Sequence, residues 1–217
     1  RLTVVDEQHR FGVLQRLALS RKGPMPDLLM MTATPIPRTL ALTVFGDLSV
    51  SAIRTMPPGR KPIVTHLAKA GNEAKVYEFV RRLLAAGRQA YFVYPLIGVA
   101  GQPAAERLEL KNAEAMYERL RGEVFPEFKL GLIHSRLKED EKRATMDAFT
   151  RGELSVLVAT SVVEVGVDVP NAAAMVVEHA ERFGLAALHQ LRGRVGRGAE
   201  QSYCFLVYAD GVTEEAK

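Results

Sequence analysis

The feature that most narrows the possible folds is a series of short, continuously apolar runs separated by stretches with helical spacing. From residue 63 the order reads strand 63–67, helix from Asn72, strand 89–97, charged helix 105–121, strand 130–134 and helix 138–150. Strands 156–160, 173–178 and 202–208 follow, with a helical stretch at 185–192 before the last. The first helix, with Asn72 as its cap, carries Val76, Phe79, Val80, Leu83 and Leu84 on one side, and Gly87 closes it. Strands alternating with helices at this spacing predict an α/β fold, a doubly wound parallel sheet covered on both faces.

The segment before residue 63 is less complete. Leu2-Thr-Val-Val5 and Asp27-Leu-Leu-Met-Met-Thr32 both read as buried parallel strands, and Pro35 and Pro37 stop the second. Met56-Pro-Pro-Gly-Arg-Lys-Pro62 holds three prolines and a glycine within seven residues, the composition of a linker. The expected organisation is therefore a truncated α/β unit over 1–58 and a complete one over 59–217. The chain opens on Arg1, directly into a strand, and reads as an excerpt.

Composition adds bounds rather than a function. A single cysteine, Cys204, excludes an intrachain disulfide and sits in an apolar strand, where it reads as an inert core thiol. No apolar run reaches the ~18 residues of a membrane span, so a cytoplasmic protein is expected. A net charge of +4 suits a polyanionic partner without specifying one.

Chemistry concentrates at strand ends. Asp6 and Glu7 leave the first strand, at the carboxyl edge where open parallel sheets bind ligands. Nucleotide hydrolysis needs one carboxylate for Mg²⁺ and a second group for the attacking water, and adjacent acids can divide those tasks. Thr32 and Thr34 leave the second strand, where their hydroxyls suit sensing a γ-phosphate and bonding across to Asp6, Glu7 or His9. Ala159-Thr160-Ser161 leaves a later strand, with hydroxyls suited to nucleic-acid phosphate, and leads to Gly166 and Asp168. Asp168 has two candidate partners, a nucleotide ribose or nearby arginines. Gln190-Leu-Arg-Gly193-Arg194-Val-Gly196-Arg197-Gly198 packs three arginines and three glycines into nine residues. Arginine offers a planar fork for phosphate oxygens, and Leu188, Leu191 and Val195 tie the cluster to a core.

Taken together, Asp-Glu-Gln-His, Thr-Ala-Thr, Ala-Thr-Ser with Gly-Val-Asp, and Gln-Leu-Arg-Gly-Arg-Val-Gly-Arg resemble motifs II, III, V and VI of superfamily 2 helicases. His9-Arg-Phe-Gly-Val-Leu-Gln-Arg16, Thr34-Pro-Ile-Pro-Arg-Thr-Leu40, Met56-Pro-Pro-Gly-Arg-Lys-Pro-Ile63, Tyr94-Pro-Leu-Ile97 and Phe183-Gly-Leu-Ala are similar to the RecG family of branched-DNA helicases. The resemblance implies RecA-like units using ATP and Mg²⁺, with Asp6 on the metal and Glu7 as catalytic base. It implies coupling roles for His9, Thr32 and Thr34, and DNA contacts for Thr160 and Ser161. Gly166, Asp168 and Gln190 would lie near the nucleotide, with Arg194 and Arg197 as arginine fingers. It also implies a monomeric bacterial motor, cytoplasmic and nucleoid-associated, remodelling stalled forks and Holliday junctions in recombination and repair.

One departure stands out. No lysine here is followed by serine or threonine, so the Gly-x-x-x-x-Gly-Lys-Ser/Thr loop is absent and is expected upstream of Arg1. Gly98-Val-Ala-Gly101 also replaces the acidic stretch the family carries there. Two helicase-fold alternatives are the motor of a transcription–repair coupling factor and a non-catalytic DNA-binding module. A dinucleotide-dependent oxidoreductase shares the fold class, but no Gly-x-Gly-x-x-Gly opens a helix after a strand.

Overall fold

The computed structural model describes residues 2–5, 27–31, 49, 51–53, 55, 59–95, 113–160 and 167–209. The chain divides into two compact units, Arg1–Thr55 and Met56–Lys217.

In the first unit, β1 (Leu2–Val5) and β2 (Asp27–Met30) pair in parallel, Leu2 opposite Asp27 and Val5 opposite Met30. The parallel pairing matches the expectation; full burial does not. Val5 is buried, but Leu2, Val4 and Leu29 are 65%, 52% and 47% exposed. A parallel pair is dry on both faces only where other elements cover it, and no described residue covers the face carrying Leu2 and Val4.

The second unit is built on six parallel strands: β3 (Val64–Lys69), β4 (Gln89–Tyr94), β5 (Leu130–Ile133), β6 (Val156–Thr160), β7 (Ala172–Val177) and β8 (Tyr203–Tyr208). Their order across the sheet is β3-β8-β7-β4-β6-β5, all neighbours parallel. The connecting helices are α1 (Glu73–Ala85), α2 (113–119, closing in a π turn at Leu120–Val124), α3 (Glu139–Thr150) and α4 (Leu185–Arg192).

The sheet is covered on both faces, as expected of a doubly wound fold, and the six residues of β4 are all buried. Successive side chains of a strand point to opposite faces. Ala90, Phe92 and Tyr94 accordingly join one core with Val76, Tyr77, Val80 and Leu84 of α1. Tyr91 and Val93 join the other with Met146 and Phe149 of α3 and Leu191 of α4. Each large apolar side chain so buried contributes roughly 1.5–3 kcal/mol. Cys204 lies in the second core at 0% exposure, and burial pushes its thiol pKa up to about 12. It is the inert thiol expected.

Two local details differ from the sequence reading. Asn72 stands at the first cap but its side chain makes no capping bond. The Glu73 carboxylate instead accepts from the Gly71 amide at 2.8 Å, which Glu73 can do from the first helical turn. The amino edge of the sheet holds a buried polar knot that periodicity could not announce. Gln89, 3% exposed, donates to the Phe149 and Leu154 carbonyls at 2.6 and 2.7 Å and accepts from Asn171 at 3.2 Å. A buried amide with all these partners stabilises rather than costs.

Candidate functional site

Helix α4 delivers the arginine cluster. Its last turn runs on through Gly193, with the Arg194 amide donating to the Leu191 carbonyl at 3.0 Å. Leu191 and Val195 are 7% and 1% exposed and pack in the second core with Tyr91 and Val169. That anchoring separates this cluster from a solvated basic patch. Gln190, Arg194 and Arg197 are each partly buried beside it.

Asp168, just before β7, meets the loop: its Oδ1 stands 3.6 Å from Arg197 Nε, and the same nitrogen lies 3.4 Å from the Gly193 carbonyl. Arg197 is thus one of the two partners left open from the sequence. With the Asp168 side chain 54% exposed, the pair is screened by water and contributes on the order of 1 kcal/mol or less. Both contacts use Nε, so the terminal nitrogens of Arg197 are uncommitted among the described residues and suited to a phosphate. Arg194 and Arg197 also act on Tyr91 from nearby; burial pushes its hydroxyl up to about 12, and the two cations oppose that shift.

The opposite, carboxyl edge of the sheet carries a different set of groups. Thr160 ends β6 at 3% exposure, and its hydroxyl has no hydrogen-bond partner among the described residues. Glu178, directly after β7, is 6% exposed and accepts the Tyr77 hydroxyl at 2.9 Å. Glu178 and Tyr77, with Tyr94, Pro95, Met116 and Arg119, line a cavity of about 410 Å³. Burial raises the pKa of Glu178, against the Tyr77 bond, which favours the carboxylate. A sequence can mark Glu178 only as a strand end; its burial depends on α1 bringing Tyr77 across.

This buried carboxyl predicts a pH dependence. A raised folded pKa means the native state holds its proton more tightly than the unfolded chain. Its stabilisation is full below the unfolded value of 4.5 and is lost as pH rises through the folded value. Glu178→Gln keeps an acceptor for Tyr77 and removes the charge. Thermal unfolding of the chain should therefore show the variant melting above the parent at neutral pH, the gap closing towards pH 4. A variant less stable at neutral pH would refute the assignment.

The structure thus brings Asp168, Arg194 and Arg197 together on one face and sets Thr160 at the far end of the strands. Asp6, Glu7, His9, Thr32, Thr34, Ser161 and Gly166 lie outside the described residues. Sequence reasoning passed over one residue at the site altogether. Arg60, taken as part of a linker, donates from Nε to the Gly196 carbonyl at 3.0 Å.

Comparison with known proteins bears on these surfaces. Residues 101–199 match the family described as the helicase conserved C-terminal domain. The chain is 55% identical to the ATP-dependent DNA helicase RecG of Treponema pallidum over 224 residues, covering all of this chain and 32% of that protein. It is 56% identical to RecG of Thermotoga maritima, covering 99% of this chain and 27% of the relative. A solved structure of RecG bound to a three-way DNA junction matches with a TM-score of 0.74 at 52% identity, over 99% of this chain and 26% of that one. The chain spans between about a quarter and a third of the length of the curated relatives it matches.

Proposed function

We propose, for a chain that is RecG-like along its whole length, that it supplies the DNA-moving and charge-neutralising parts of an ATP-dependent helicase motor acting on branched DNA. The observation that carries the reading is the arginine loop: core-anchored through Leu191 and Val195, with Arg197 held at Nε and its terminal nitrogens uncommitted among the described residues. An arginine prepared in this way loses little freedom when it meets a phosphoryl group, so its binding energy appears in the transition state.

ATP with Mg²⁺ supplies the phosphoryl bond whose hydrolysis drives such a motor. In this proposal Asp6 holds the metal and Glu7 takes the proton of the attacking water. Arg194 and Arg197 neutralise charge on the transferred group, and Gln190 and Gly166 border the nucleotide. Asp168 restrains Arg197 until a phosphate competes for it, which the weakness of an exposed ion pair allows. His9, Thr32 and Thr34 couple turnover to movement. Thr160 and Ser161 contact the DNA backbone, a role suited to hydroxyls at a strand end; the Thr160 hydroxyl has no hydrogen-bond partner among the described residues. The 217-residue chain contains no Gly-x-x-x-x-Gly-Lys-Ser/Thr loop, so this stretch turns over ATP only together with one. The proposed setting is the bacterial cytoplasm, on the nucleoid, as a monomer at stalled forks and Holliday junctions. No helix among the described residues is long and apolar enough to cross a membrane.

The test is steady-state ATP hydrolysis by the full-length gene product, with and without a three-way DNA junction, beside Glu7→Gln. Junction-stimulated turnover that falls about 10²-fold or more in Glu7→Gln is expected, in line with the contribution of a general base. Turnover indifferent to both the junction and the substitution would overturn the reading.

A further inference from the structure

The second unit begins at Met56, and Arg60 lies near its start, ahead of β3. Its side chain reaches a point 136 residues further on, donating from Nε to the carbonyl of Gly196 at 3.0 Å. The contact does not stand alone. Gln201 Nε2 donates to the Pro62 carbonyl at 2.7 Å, and the Val64 amide donates to the Ser202 carbonyl at 3.0 Å. Residues 60–64 therefore run alongside 196–202 and are bonded to them at three points.

Gly196 makes the fit possible. Its φ of +76° lies in the left-handed region that glycine adopts without penalty. A Cβ there would meet Ile63 Cγ1 at 2.7 Å and Cδ1 at 3.1 Å. Ile63 and Arg60 thus hold Gly196 from two sides, one by packing and one by a hydrogen bond.

The carbonyl that Arg60 grips belongs to the peptide unit whose nitrogen is that of Arg197. A peptide unit is planar and stiff, so fixing its oxygen fixes the starting direction of the Arg197 backbone. Arginine is long, and a small rotation at its root becomes a large displacement at the guanidinium. Misplacing a charge-stabilising group by about 1 Å costs on the order of 10²-fold in rate.

We propose that Arg60 is a positioning residue that braces the arginine loop, holding the peptide that carries Arg197 and tying the loop to the segment that leads into β3. Its effect on turnover rests on the reading of Arg197 as a finger. Nothing in the contact asks Arg60 to touch nucleotide or DNA. The brace is specific to a donor at this reach: lysine offers an N–H but not the rigid fork.

The experiment uses the full-length gene product and two readouts. Hydrogen–deuterium exchange is followed over 193–200, with β4 as internal reference. Steady-state ATP turnover is measured for Arg60→Ala, Arg60→Lys, Arg197→Ala and the Arg60→Ala/Arg197→Ala double variant. Arg60→Ala should raise exchange over 193–200 without changing it in β4. It should also lower kcat about 10- to 100-fold with KM little changed. Arg60→Lys should recover part of that loss. The double variant should be no slower than Arg197→Ala, because residues acting through one group are not additive. Unchanged exchange over 193–200, or losses that multiply in the double variant, would overturn the proposal. If Arg197→Ala leaves turnover intact while Arg60→Ala still loosens the loop, the finger reading fails and the brace stands.

Discussion

Replacing Arg197 with alanine in the full-length gene product should lower ATP turnover by about 10³–10⁵-fold, the range an arginine finger supplies in phosphoryl transfer, while DNA binding falls only a few-fold. The asymmetry follows from where the residue sits. Arg197 is tethered by weak contacts to Gly193 and Asp168, at the end of the sheet away from the Thr160 strand terminus. Its loss should remove transition-state charge stabilisation and leave the nucleic-acid surface intact. Arg197→Lys should restore little, since a point charge does not reproduce the planar fork. Asp168→Asn should cost far less than either, because it removes only a screened ion pair. Turnover and junction affinity are measured on the same preparations; equal, small losses in both would sink the finger assignment.

Phe92→Ala in this chain should destabilise folding by about 3–5 kcal/mol, the usual cost of deleting a fully buried aromatic side chain. Phe92 is 0% exposed in the middle of β4, between β6 and β7. Its ring centroid lies 5.9 Å from that of Tyr77 and 5.6 Å from that of Phe125. Helix α1 and the segment after α2 are therefore both seated on it, and its loss opens a cavity they cannot close independently. Against a net stability on the order of 5–15 kcal/mol for a typical domain, this is a large fraction, readable as a shift in the urea midpoint. Leu67→Ala on β3 provides the contrast: that side chain is 53% exposed, and the expected change is within about 0.5 kcal/mol. A Phe92→Ala loss no larger than that of Leu67→Ala would mean that this core is not the cooperative unit described.

Arg60 connects these two levels. The packing that seats β3 and β8 side by side brings residues 60–64 against 196–202, and the same contact steadies the peptide on which catalysis is proposed to depend. Stability of the sheet and placement of the arginine loop are in this sense one property, measured by different experiments.

The patterns legible in the sequence were those of short range. The alternation of strand and helix patterns after residue 63 announced a parallel sheet covered on both faces. The spacing of Val76, Val80 and Leu84 announced the buried side of α1, and the closeness of Arg194 and Arg197 in sequence marked them as one group. These signals arise within a few residues, because side chains repeat every 2 positions along a strand and about every 3.6 along a helix. Apolar character alone overstated the burial of Leu2 and Val4, since whether a face is covered depends on another element. The choice of Asp168 for Arg197, the burial of Glu178 under Tyr77, and the reach of Arg60 to Gly196 were decided only by the order β3-β8-β7-β4-β6-β5. That order makes neighbours of residues up to 139 positions apart. No local propensity records such a pairing, because its free energy comes from surfaces that meet only once the sheet is assembled.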